Sequence, residues 1–335
     1  MNPLASPLLT DLYQLTMLQA YFAAGMRDTA VFELFVRKLP AGRNFLMAAG
    51  LEPALEFIAG VRFAEEELDW VERSGLFRPG FAAELAGLRF TGDVHAMPEG
   101  TVFFANEPIL RVTAPLPEAQ LLETRLLNIV HYQTLVASKA ARTVLAARGK
   151  RLVDFGLRRA HGAEAGLGAA RASYIAGFAG TATAIAGPML GIPVFGTMAH
   201  SFVQAHDEET DAFAHFASVF PRNAVLLIDT YDTVAAAKKV AALAPRLAAR
   251  GIAVRGVRLD SGDLATLARE VRGVLDAAGL RDAIVFASGN LDEYRVAELV
   301  DGGAPIDSFG IGTSLATSSD APFLDMVYKL QEYGG

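Results

Sequence analysis

The second half of the chain repeats one pattern: a short apolar run, a polar or glycine-containing end, and then a segment with helical periodicity. Runs that are apolar throughout and alternate with helices are typical of a parallel sheet buried on both faces. Six such units favour a TIM-like α/β barrel over a dinucleotide-binding sheet, and no GxGxxG follows an early strand. The predicted strands are RLVDFG (151–156), PVFGT (193–197), AVLLIDT (224–230), VRGVRLDS (254–261), AIVFASG (283–289) and DSFGIGT (307–313), with helices at about 201–218, 231–249, 262–278 and 291–301.

The first half of the chain has a mixed pattern. Alternation over residues 31–39 predicts a strand with Phe32, Leu34 and Val36 on one face. Residues 90–114 indicate several strands separated by turns. Helical periodicity is predicted over residues 9–24, 44–59, 65–74 and 117–148, the last stretch with a break that the pattern does not locate.

Composition narrows the possible functions. The chain has 335 residues, of which 52% are hydrophobic, so it can bury a large core. It has no cysteine, which excludes disulfides, thiolate zinc sites and cysteine nucleophiles. The net charge of -7 argues against binding to nucleic acid or an anionic membrane. An anionic substrate must therefore meet a local cluster of basic side chains.

Residues 172–205 contain no Asp, Glu, Lys or Arg, and this length could span a membrane. Five glycines, two prolines and three threonines within residues 172–199 favour a buried helix followed by a barrel strand instead. The N-terminus lacks the positive region of a secretory signal, and Asp11 interrupts its apolar run. We therefore expect a cytoplasmic protein, with a membrane span as the alternative.

Each predicted barrel strand ends in polar or glycine residues, and barrel enzymes place their functional groups at these strand ends. Such a constellation is more informative than any single residue. The groups are Asp154 with Arg158 and Arg159, Thr197 with His200, Asp229, Asp260 with Ser261, Ser288 with Asn290, and Gly310, Gly312 and Thr313.

Two of these strand ends, SGN (288–290) and GIGTS (310–314), are rich in small residues. Glycine lets a backbone approach an anion, and late loops of a barrel commonly hold a phosphate. The alternative for each loop is an ordinary turn. Together the loops predict a phosphate site made by Ser288, Gly289, Asn290, Gly310, Gly312 and Thr313.

Asp229 and Asp260 close strands that are otherwise almost wholly apolar. A carboxylate there is costly unless it is paired or binds a cation, so the two could hold sugar hydroxyls, Mg²⁺ or a developing positive charge. The alternative is that each is a helix N-cap, although Ser261 or Asp263 could equally cap the helix that follows Asp260.

The basic candidates and the histidine also have two interpretations. Adjacent Arg158 and Arg159 suit a carboxylate or a phosphate, but they could be a solvated pair. Lys139 and Arg142 can share a helix face, with a solvated face as the alternative. His200 lies just past a predicted strand end, although a lone histidine is more often a core residue.

Nine motifs lie in order over nearly the whole chain: TDLYQLTM (10–17), FVRKLPAGRNFLMAAGLE (35–52), PEGTVFFANEPILRV (98–112), FGLRRAHG (155–162), GTMAHSFVQA (196–205), LLIDTYDT (226–233), RLDSGDL (258–264), FASGNLDE (286–293) and FGIGTSL (309–315). In this order they resemble the motifs of nicotinate phosphoribosyltransferases.

This resemblance implies a reaction of the NAD salvage pathway. Nicotinate and phosphoribosyl pyrophosphate would give nicotinate mononucleotide and pyrophosphate, with ATP hydrolysis and Mg²⁺. Some family members carry a cysteine-based zinc site, and no such zinc site is expected here because the chain has no cysteine. It also implies an α/β-sandwich domain with a helical extension (residues 1–148), an irregular TIM-like α/β barrel (residues 149–335), and a homodimer with shared active sites.

The resemblance assigns roles to individual residues. His200 matches the histidine that ATP phosphorylates, and Asp229 and Asp260 match acidic positions near the ribose and Mg²⁺. Arg158 and Arg159 match the pair near the substrate carboxylate and phosphoribosyl group, in an order that the sequence leaves open. Further substrate contacts are expected from Tyr13, reaching across the dimer to stack on the pyridine, from Thr197 and Ser201, and from Lys139 and Arg142 on the pyrophosphate side.

Three alternatives remain open to the sequence. One is a related transferase for nicotinamide or quinolinate, although TDLYQ and the GTMAHS histidine favour nicotinate. The second is a non-catalytic phosphosugar-binding paralogue, because family chains usually continue past a segment like VYKL (327–330) and this sequence ends at Gly335. The third is a membrane protein.

Overall fold

The computed structural model describes residues 3–335; Met1 and Asn2, which belong to the predicted N-terminal domain, lie outside the described residues. The chain divides into two compact units. Unit 1 runs to Ser138 and includes Ala321–Gly335, and unit 2 is Lys139–Asp320. The sequence-based division at residues 148/149 differs from this one because a single helix carries the chain across the boundary.

Helices and strands follow one another along the whole described chain. The first are α1 (Leu12–Ala23), β1 (Thr29–Val36), β2 (Leu46–Met47), α2 (Leu51–Gly60), α3 (Glu65–Arg73), α4 (Phe81–Ala86), β3 (Asp93–Ala96), β4 (Val102–Phe103), β5 (Leu110–Pro115), α5 (Leu116–Leu121) and α6 (Glu123–Ala147). They are followed by β6 (Arg151–Asp154), α7 (Ala163–Ile175), β7 (Gly180–Thr181), α8 (Ala186–Leu190), α9 (His200–Gln204), α10 (Glu209–Val219), β8 (Ala224–Leu227), α11 (Thr233–Ala248), β9 (Val254–Leu259), α12 (Leu264–Ala277), β10 (Ile284–Ala287), α13 (Glu293–Asp301), β11 (Ser308–Ile311), α14 (Thr313–Ala316) and β12 (Met326–Tyr333).

Unit 1 is built on an antiparallel sheet in the order β12-β1-β5-β3. The predicted alternation in β1 is confirmed, since Phe32, Leu34 and Val36 are all buried. Burying large apolar side chains in this way stabilises the unit by roughly 1.5–3 kcal/mol for each one.

The last strand, β12, pairs antiparallel with β1 in unit 1. The predicted barrel domain, residues 149–335, would have included this strand. Tyr328 stacks on Phe32 with ring centroids 4.8 Å apart, and Arg37 donates to Asp325 at 2.6 Å. Such contacts join residues almost 300 positions apart, so local periodicity carries no signal of them.

The helix predicted over residues 44–59 is wrong in its first part. Residues 46–47 form β2, and α2 begins only at Leu51. Gly50 has a φ of +95°, which ends any helix there, and Glu99 accepts hydrogen bonds from the N–H groups of Gly50 and Leu51. A distant carboxylate therefore sets the start of α2. The unlocated break in residues 117–148 falls at Leu122, between α5 and α6.

Unit 2 contains a curled parallel sheet in the order β7-β6-β11-β10-β9-β8, with helices between successive strands. This half-barrel confirms the predicted α/β class. Five of the predicted strands are present as β6, β8, β9, β10 and β11. The sixth, PVFGT (193–197), is wrong as a strand: it makes only an isolated bridge from Val194 to Thr181. The pairing partner, β7, was not predicted.

The uncharged segment folds into short pieces rather than one long helix. It contains the end of α7, β7, α8 and α9. The helix predicted over residues 201–218 is also divided, into α9 and α10. Across residues 3–335, the structure contains no helix with the length and apolar character needed to cross a membrane.

Candidate active site

A cavity of about 320 Å³ lies at the carboxyl-terminal edge of the parallel sheet in unit 2. A larger cavity, of about 640 Å³, lies at the opposite edge, where Arg151, Ile284 and Ser308 begin their strands. Barrels of this type carry their chemistry at the carboxyl-terminal edge. The smaller cavity is therefore the candidate site. It is lined by Phe155, Leu157, Arg158, Ala182, Gly196, Thr197, Met198, Ala199, His200, Arg258 and Asp260.

Asp229 lies two residues beyond β8 and is buried. Its Oδ2 accepts hydrogen bonds from the Asp260 N–H at 2.9 Å and from the Ser261 hydroxyl at 2.6 Å. Its Oδ1 is buried without a hydrogen-bond partner among the described residues. A buried carboxylate oxygen in this state is costly unless a ligand completes it.

The alternative role for the two aspartates, as helix N-caps, is wrong. Asp232 caps α11 by accepting from the Ala235 N–H, and Asp263 caps α12. Neither Asp229 nor Asp260 is therefore a helix cap. Asp260 lines the cavity, whereas Asp229 is not among the described residues that line it.

Asp260 is the point at which several polar groups of the site meet. Its Oδ1 accepts hydrogen bonds from the Ser288 hydroxyl and, at 3.4 Å, from the Arg258 guanidinium. Partial burial alone would raise the pKa of this carboxyl, but the Ser288 hydrogen bond, the Arg258 charge and the nearby His200 outweigh it, so the pKa is lowered. Asp260 is therefore a stable anion at neutral pH.

His200 begins α9, and its imidazole lies between two partners. Nδ1 is 3.2 Å from the Thr230 hydroxyl oxygen, which orients the ring. Nε2 is 3.8 Å from Asp260 Oδ2, beyond hydrogen-bond distance. The side chain is 39% exposed and lines the cavity.

Arg258, in β9, is a central residue that the sequence patterns did not single out. Its Nε donates to the Ser288 hydroxyl oxygen at 3.1 Å, and its Nη1 donates to Thr197 Oγ1 at 2.7 Å and to the Met198 carbonyl at 3.2 Å. The guanidinium also lies 5.7 Å from the centre of the Phe155 ring. A charged residue inside an apolar strand, VRGVRL, was the signal that could have identified it.

Asp154, at the end of β6, is fully buried and shapes the loop that follows. Its two oxygens accept hydrogen bonds from the Gly156 N–H at 2.8 Å and the Thr181 hydroxyl at 2.6 Å. Thr181 in turn accepts from the Thr183 N–H at 2.9 Å. Burial raises the pKa of Asp154 despite these bonds. Asp154 therefore ties together the turns that carry the cavity wall.

Comparison with known proteins places the chain in a family. Residues 8–131 match the nicotinate phosphoribosyltransferase (NAPRTase) N-terminal domain, and residues 150–333 match the nicotinate phosphoribosyltransferase (NAPRTase) family. The chain belongs to the nicotinate phosphoribosyltransferase family.

Individual relatives agree with this placement. The chain is 55% identical over 328 residues to the Mycobacterium tuberculosis protein named nicotinate phosphoribosyltransferase pncB2, covering 98% of this chain and 70% of the relative. It is 44% identical to Bacillus subtilis nicotinate phosphoribosyltransferase, covering 96% of this chain and 66% of that protein. The crystal structure of human nicotinic acid phosphoribosyltransferase superposes with a TM-score of 0.87 at 35% identity, covering 97% of this chain and 75% of the human one.

Within the nicotinate phosphoribosyltransferase fold, the two adjacent arginines occupy different places. Both are exposed in a 3-10 helix, Leu157–Arg159. Arg158 lines the 320 Å³ cavity, whereas Arg159 is not among the described residues that line it. The geometry thus separates two residues that the sequence could not distinguish.

The loop after β10 has a conformation that its residues explain. Gly289 has a φ of +93°, and a Cβ there would lie 1.9 Å from the Asp260 carbonyl oxygen, so only glycine fits. Asn290 adopts a φ of +49°. Ser288, a predicted phosphate ligand, is engaged with Asp260 and Arg258.

The second glycine-containing loop packs against an aromatic ring. A Cβ on Gly310 would lie 2.8 Å from the Phe155 ring, and one on Gly312 would lie 3.1 Å from the Phe155 carbonyl oxygen. Thr313 follows as the first residue of α14. Close packing alone accounts for both glycines, and the phosphate role of the two loops stays a prediction.

Lys139 and Arg142 are not among the described residues that line the cavity, and their charges are already paired. Lys139 is buried and donates to Glu293 at 2.8 Å and to Asp320 at 2.7 Å. Arg142 donates to Glu293 at 3.1 Å and to the Tyr294 hydroxyl at 2.9 Å. Their contact with pyrophosphate stays a prediction that this network does not favour.

The remaining predicted ligands are exposed. Ser201 is the second residue of α9, next to His200. Tyr13 lies in α1 of unit 1, where burial and then the charges of Glu123 and Asp11 raise the pKa of its phenol. Tyr13 is therefore a neutral aromatic ring at the surface of its unit.

Proposed function

We propose that this protein joins nicotinate to phosphoribosyl pyrophosphate in NAD salvage, producing nicotinate mononucleotide and pyrophosphate. The observation that carries the proposal is the group formed by His200, Asp260 and Arg258 around a strand-end cavity, in a chain 55% identical to a protein named for this activity. The cavity places an imidazole, an anion and two arginines within one small volume, which suits a reaction between two anionic molecules.

The bonds that form and break in this reaction indicate a role for a carboxylate of the site. The pyridine nitrogen attacks the anomeric carbon, the bond from that carbon to the pyrophosphate oxygen breaks, and pyrophosphate leaves with the electron pair. Positive charge develops on the ribose as the bond breaks. Asp260, held as an anion by Ser288 and Arg258, would balance that charge.

Arg158 would bind the carboxylate of nicotinate, because it lines the cavity and a guanidinium matches a carboxylate in shape. Arg159 would act outside the cavity, towards the phosphoribosyl group. Tyr13 would stack on the pyridine from a second copy of the chain in a homodimer with shared active sites.

ATP would couple to the reaction through His200. Thr230 engages Nδ1, whereas Nε2 is not hydrogen-bonded to Asp260 and the side chain is partly exposed, so Nε2 would be the phosphate acceptor. The γ-phosphoryl group would move from ATP to Nε2 as ADP leaves, and water would later take it as inorganic phosphate.

The residues present fit a magnesium ion that arrives with substrate. The buried Oδ1 of Asp229 lacks a hydrogen-bond partner among the described residues, and the Asp260 backbone N–H donates to the other oxygen of the same carboxylate. Within residues 3–335 there is no ready group of three or more metal-binding side chains. Mg²⁺ is commonly held by one or two carboxylates together with substrate phosphates. Asp229 and Asp260 would hold the ion, which would supply charge to the departing pyrophosphate.

Pyrophosphate release by the purified chain tests the proposal. The assay contains phosphoribosyl pyrophosphate and Mg²⁺, with nicotinate, nicotinamide or quinolinate as the acceptor, each with and without ATP. We expect release that requires nicotinate and increases with ATP, and a loss of the ATP effect in His200→Asn. Release with another acceptor would reassign the substrate. Binding of phosphoribosyl pyrophosphate without release under any condition would indicate the non-catalytic alternative.

A further inference from the structure

A pair of histidines lies just beyond α9, in a part of unit 2 that the proposed reaction does not use. His206 follows α9 and is half-buried, while His215 lies on α10 and is exposed. His206 Nε2 and His215 Nδ1 are 3.2 Å apart. The two rings meet edge to face, with centroids 5.5 Å apart and planes inclined by 71°. Two ring nitrogens therefore face each other.

The hydrogen bonding of His206 fixes which of its nitrogens carries the lone pair. Nδ1 lies 2.8 Å from the carbonyl oxygen of Phe202, and a carbonyl can only accept, so Nδ1 carries the proton. Nε2 of the neutral ring then presents its lone pair towards His215. Metal-binding histidines are typically oriented in this way, by an N–H donated to a backbone carbonyl.

The separation of the nitrogens matches the spacing of two ligands on one metal ion. Two Zn–N bonds of about 2.0–2.1 Å at the tetrahedral angle place their nitrogens about 3.3 Å apart. The neutral ring of His215 can carry its proton on Nε2, which frees the lone pair of Nδ1. His215 is exposed and its ring centroid lies 6.1 Å from that of Phe202, so both lone pairs would meet at one metal ion after a rotation of this ring.

The surrounding charge favours a cation. Asp207, Glu208 and Asp211 are exposed carboxylates in the segment between the two histidines. Asp211 lies four residues before His215 on α10, so the two share a face of that helix. Imidazole ligands favour zinc, copper and nickel, whereas magnesium prefers oxygen ligands.

We propose that His206 and His215 form a two-histidine site for a divalent transition-metal ion such as Zn²⁺, with water in the remaining coordination positions. The site differs from the thiolate zinc site that the absence of cysteine excludes. It joins the end of α9, which begins at His200, to α10. A bound ion would therefore fix the turn between these two helices.

Metal titration of the whole chain tests this site independently of activity. The protein is stripped with a chelator, and Zn²⁺ is titrated against a chromophoric competitor in millimolar Mg²⁺. We expect one Zn²⁺ per chain, and a 10- to 100-fold weaker affinity in His206→Gln and in His215→Gln. His95→Gln changes an exposed histidine of unit 1 and is the matched control, which should bind as the parent chain does.

Two further readouts separate a metal site from a local folding effect. Zn²⁺ should raise the melting temperature of the parent chain and of His95→Gln, but not of the double variant His206→Gln/His215→Gln. Bound Cu²⁺ should show hyperfine coupling to two imidazole nitrogens by electron paramagnetic resonance. Equal zinc affinity in the parent chain and the double variant, or coupling to one nitrogen in the parent chain, would overturn the proposal and leave a hydrogen-bonded pair of rings.

Discussion

Two strand ends in the parallel sheet carry buried carboxylates in contrasting states. Asp154, the last residue of β6, has both oxygens hydrogen-bonded by neighbouring residues of its own unit. Asp229, after β8, has one oxygen bonded by Asp260 and Ser261 and one that is buried without a partner among the described residues. The first arrangement is complete without a ligand, whereas the second is not. A buried acid with an unfilled position is thus the better marker of chemistry than burial alone.

The largest effect on activity is expected at Asp260, whose backbone N–H donates a hydrogen bond to Asp229. Asp260→Asn keeps the size of the side chain and removes its charge. We expect kcat/KM for pyrophosphate release to fall about 100- to 1000-fold, the usual loss when a group that stabilises transition-state charge is removed. Steady-state kinetics measure this, and urea unfolding serves as the control for folding. A loss below tenfold would show that Asp260 does not balance the ribose charge.

Asp229→Asn should have the next largest effect. The amide cannot supply the anionic oxygen proposed to meet Mg²⁺, so we expect kcat/KM to fall by about one order of magnitude or more, the usual range for loss of a metal-binding partner. The Mg²⁺ concentration that gives half-maximal rate should rise as well. Kinetics over a range of Mg²⁺ concentrations test this. An unchanged Mg²⁺ dependence would argue that Asp229 is only a scaffold for Asp260.

Asp154→Ala should lower the stability of the fold more than the rate of the reaction. The change leaves the Gly156 N–H and the Thr181 hydroxyl buried without their acceptor, and a lost buried partner costs about 1–3 kcal/mol. We expect a lower urea midpoint, with kcat reduced less than in Asp260→Asn. An Asp154→Ala protein as stable as the parent chain would contradict the assignment of Asp154 as the residue that holds this loop.

Asp154 and Asp260 should also have opposite effects on how the free energy of unfolding depends on pH. Asp154 has a raised pKa in the folded chain, so its contribution is present below the ordinary value of 3.8 and is lost as pH rises through the raised pKa. Asp260 has a lowered pKa, so its contribution is present above 3.8 and is lost as pH falls through the lowered value. With increasing pH, the free energy of unfolding of the parent chain should fall relative to Asp154→Asn and rise relative to Asp260→Asn. If both differences in the free energy of unfolding changed with pH in the same direction, the opposite pKa shifts of Asp154 and Asp260 would be contradicted.

The same contrast shows what the sequence could and could not predict. Apolar runs followed by Asp154, Asp229 and Asp260 predicted strands and polar ends correctly, because local pattern determines them. No local sequence feature distinguished Asp154, which accepts a hydrogen bond from Thr181, from Asp229, which has an oxygen without a partner among the described residues. That difference depends on which loops meet in space. The position of an acid at a strand end was therefore predictable, and its hydrogen-bonding state was not.

Long-range pairing limited the prediction in other places. Arg258 was not identified as a site residue, because its partners Ser288 and Thr197 lie 30 and 61 residues away in the chain. Residues 326–333 were placed in the barrel domain, but they complete the sheet of unit 1 by pairing with β1. Both cases depend on contacts between distant segments, which periodicity does not report.

Ser288→Ala should give the smallest decrease in activity among these variants. It tests whether a hydrogen bond to Asp260 affects the reaction. Ser288 donates to Asp260 and accepts from Arg258, and it does not touch Asp229 or Asp154 in the hydrogen bonds of the site. Ser288→Ala removes both hydrogen bonds, but Asp260 keeps its charge and its contact with Arg258, so we expect kcat/KM to fall only about 2- to 12-fold, equivalent to about 0.5–1.5 kcal/mol.

The pH profile of Ser288→Ala shows whether that decrease acts through Asp260. The Ser288 hydrogen bond helps to lower the pKa of Asp260, so its removal should raise this pKa and shift the acid limb of kcat/KM to higher pH. If Ser288 instead served mainly as a phosphate ligand, the KM for phosphoribosyl pyrophosphate would rise and the acid limb would stay in place. The two results separate a residue that tunes the open carboxylate from one that binds substrate directly.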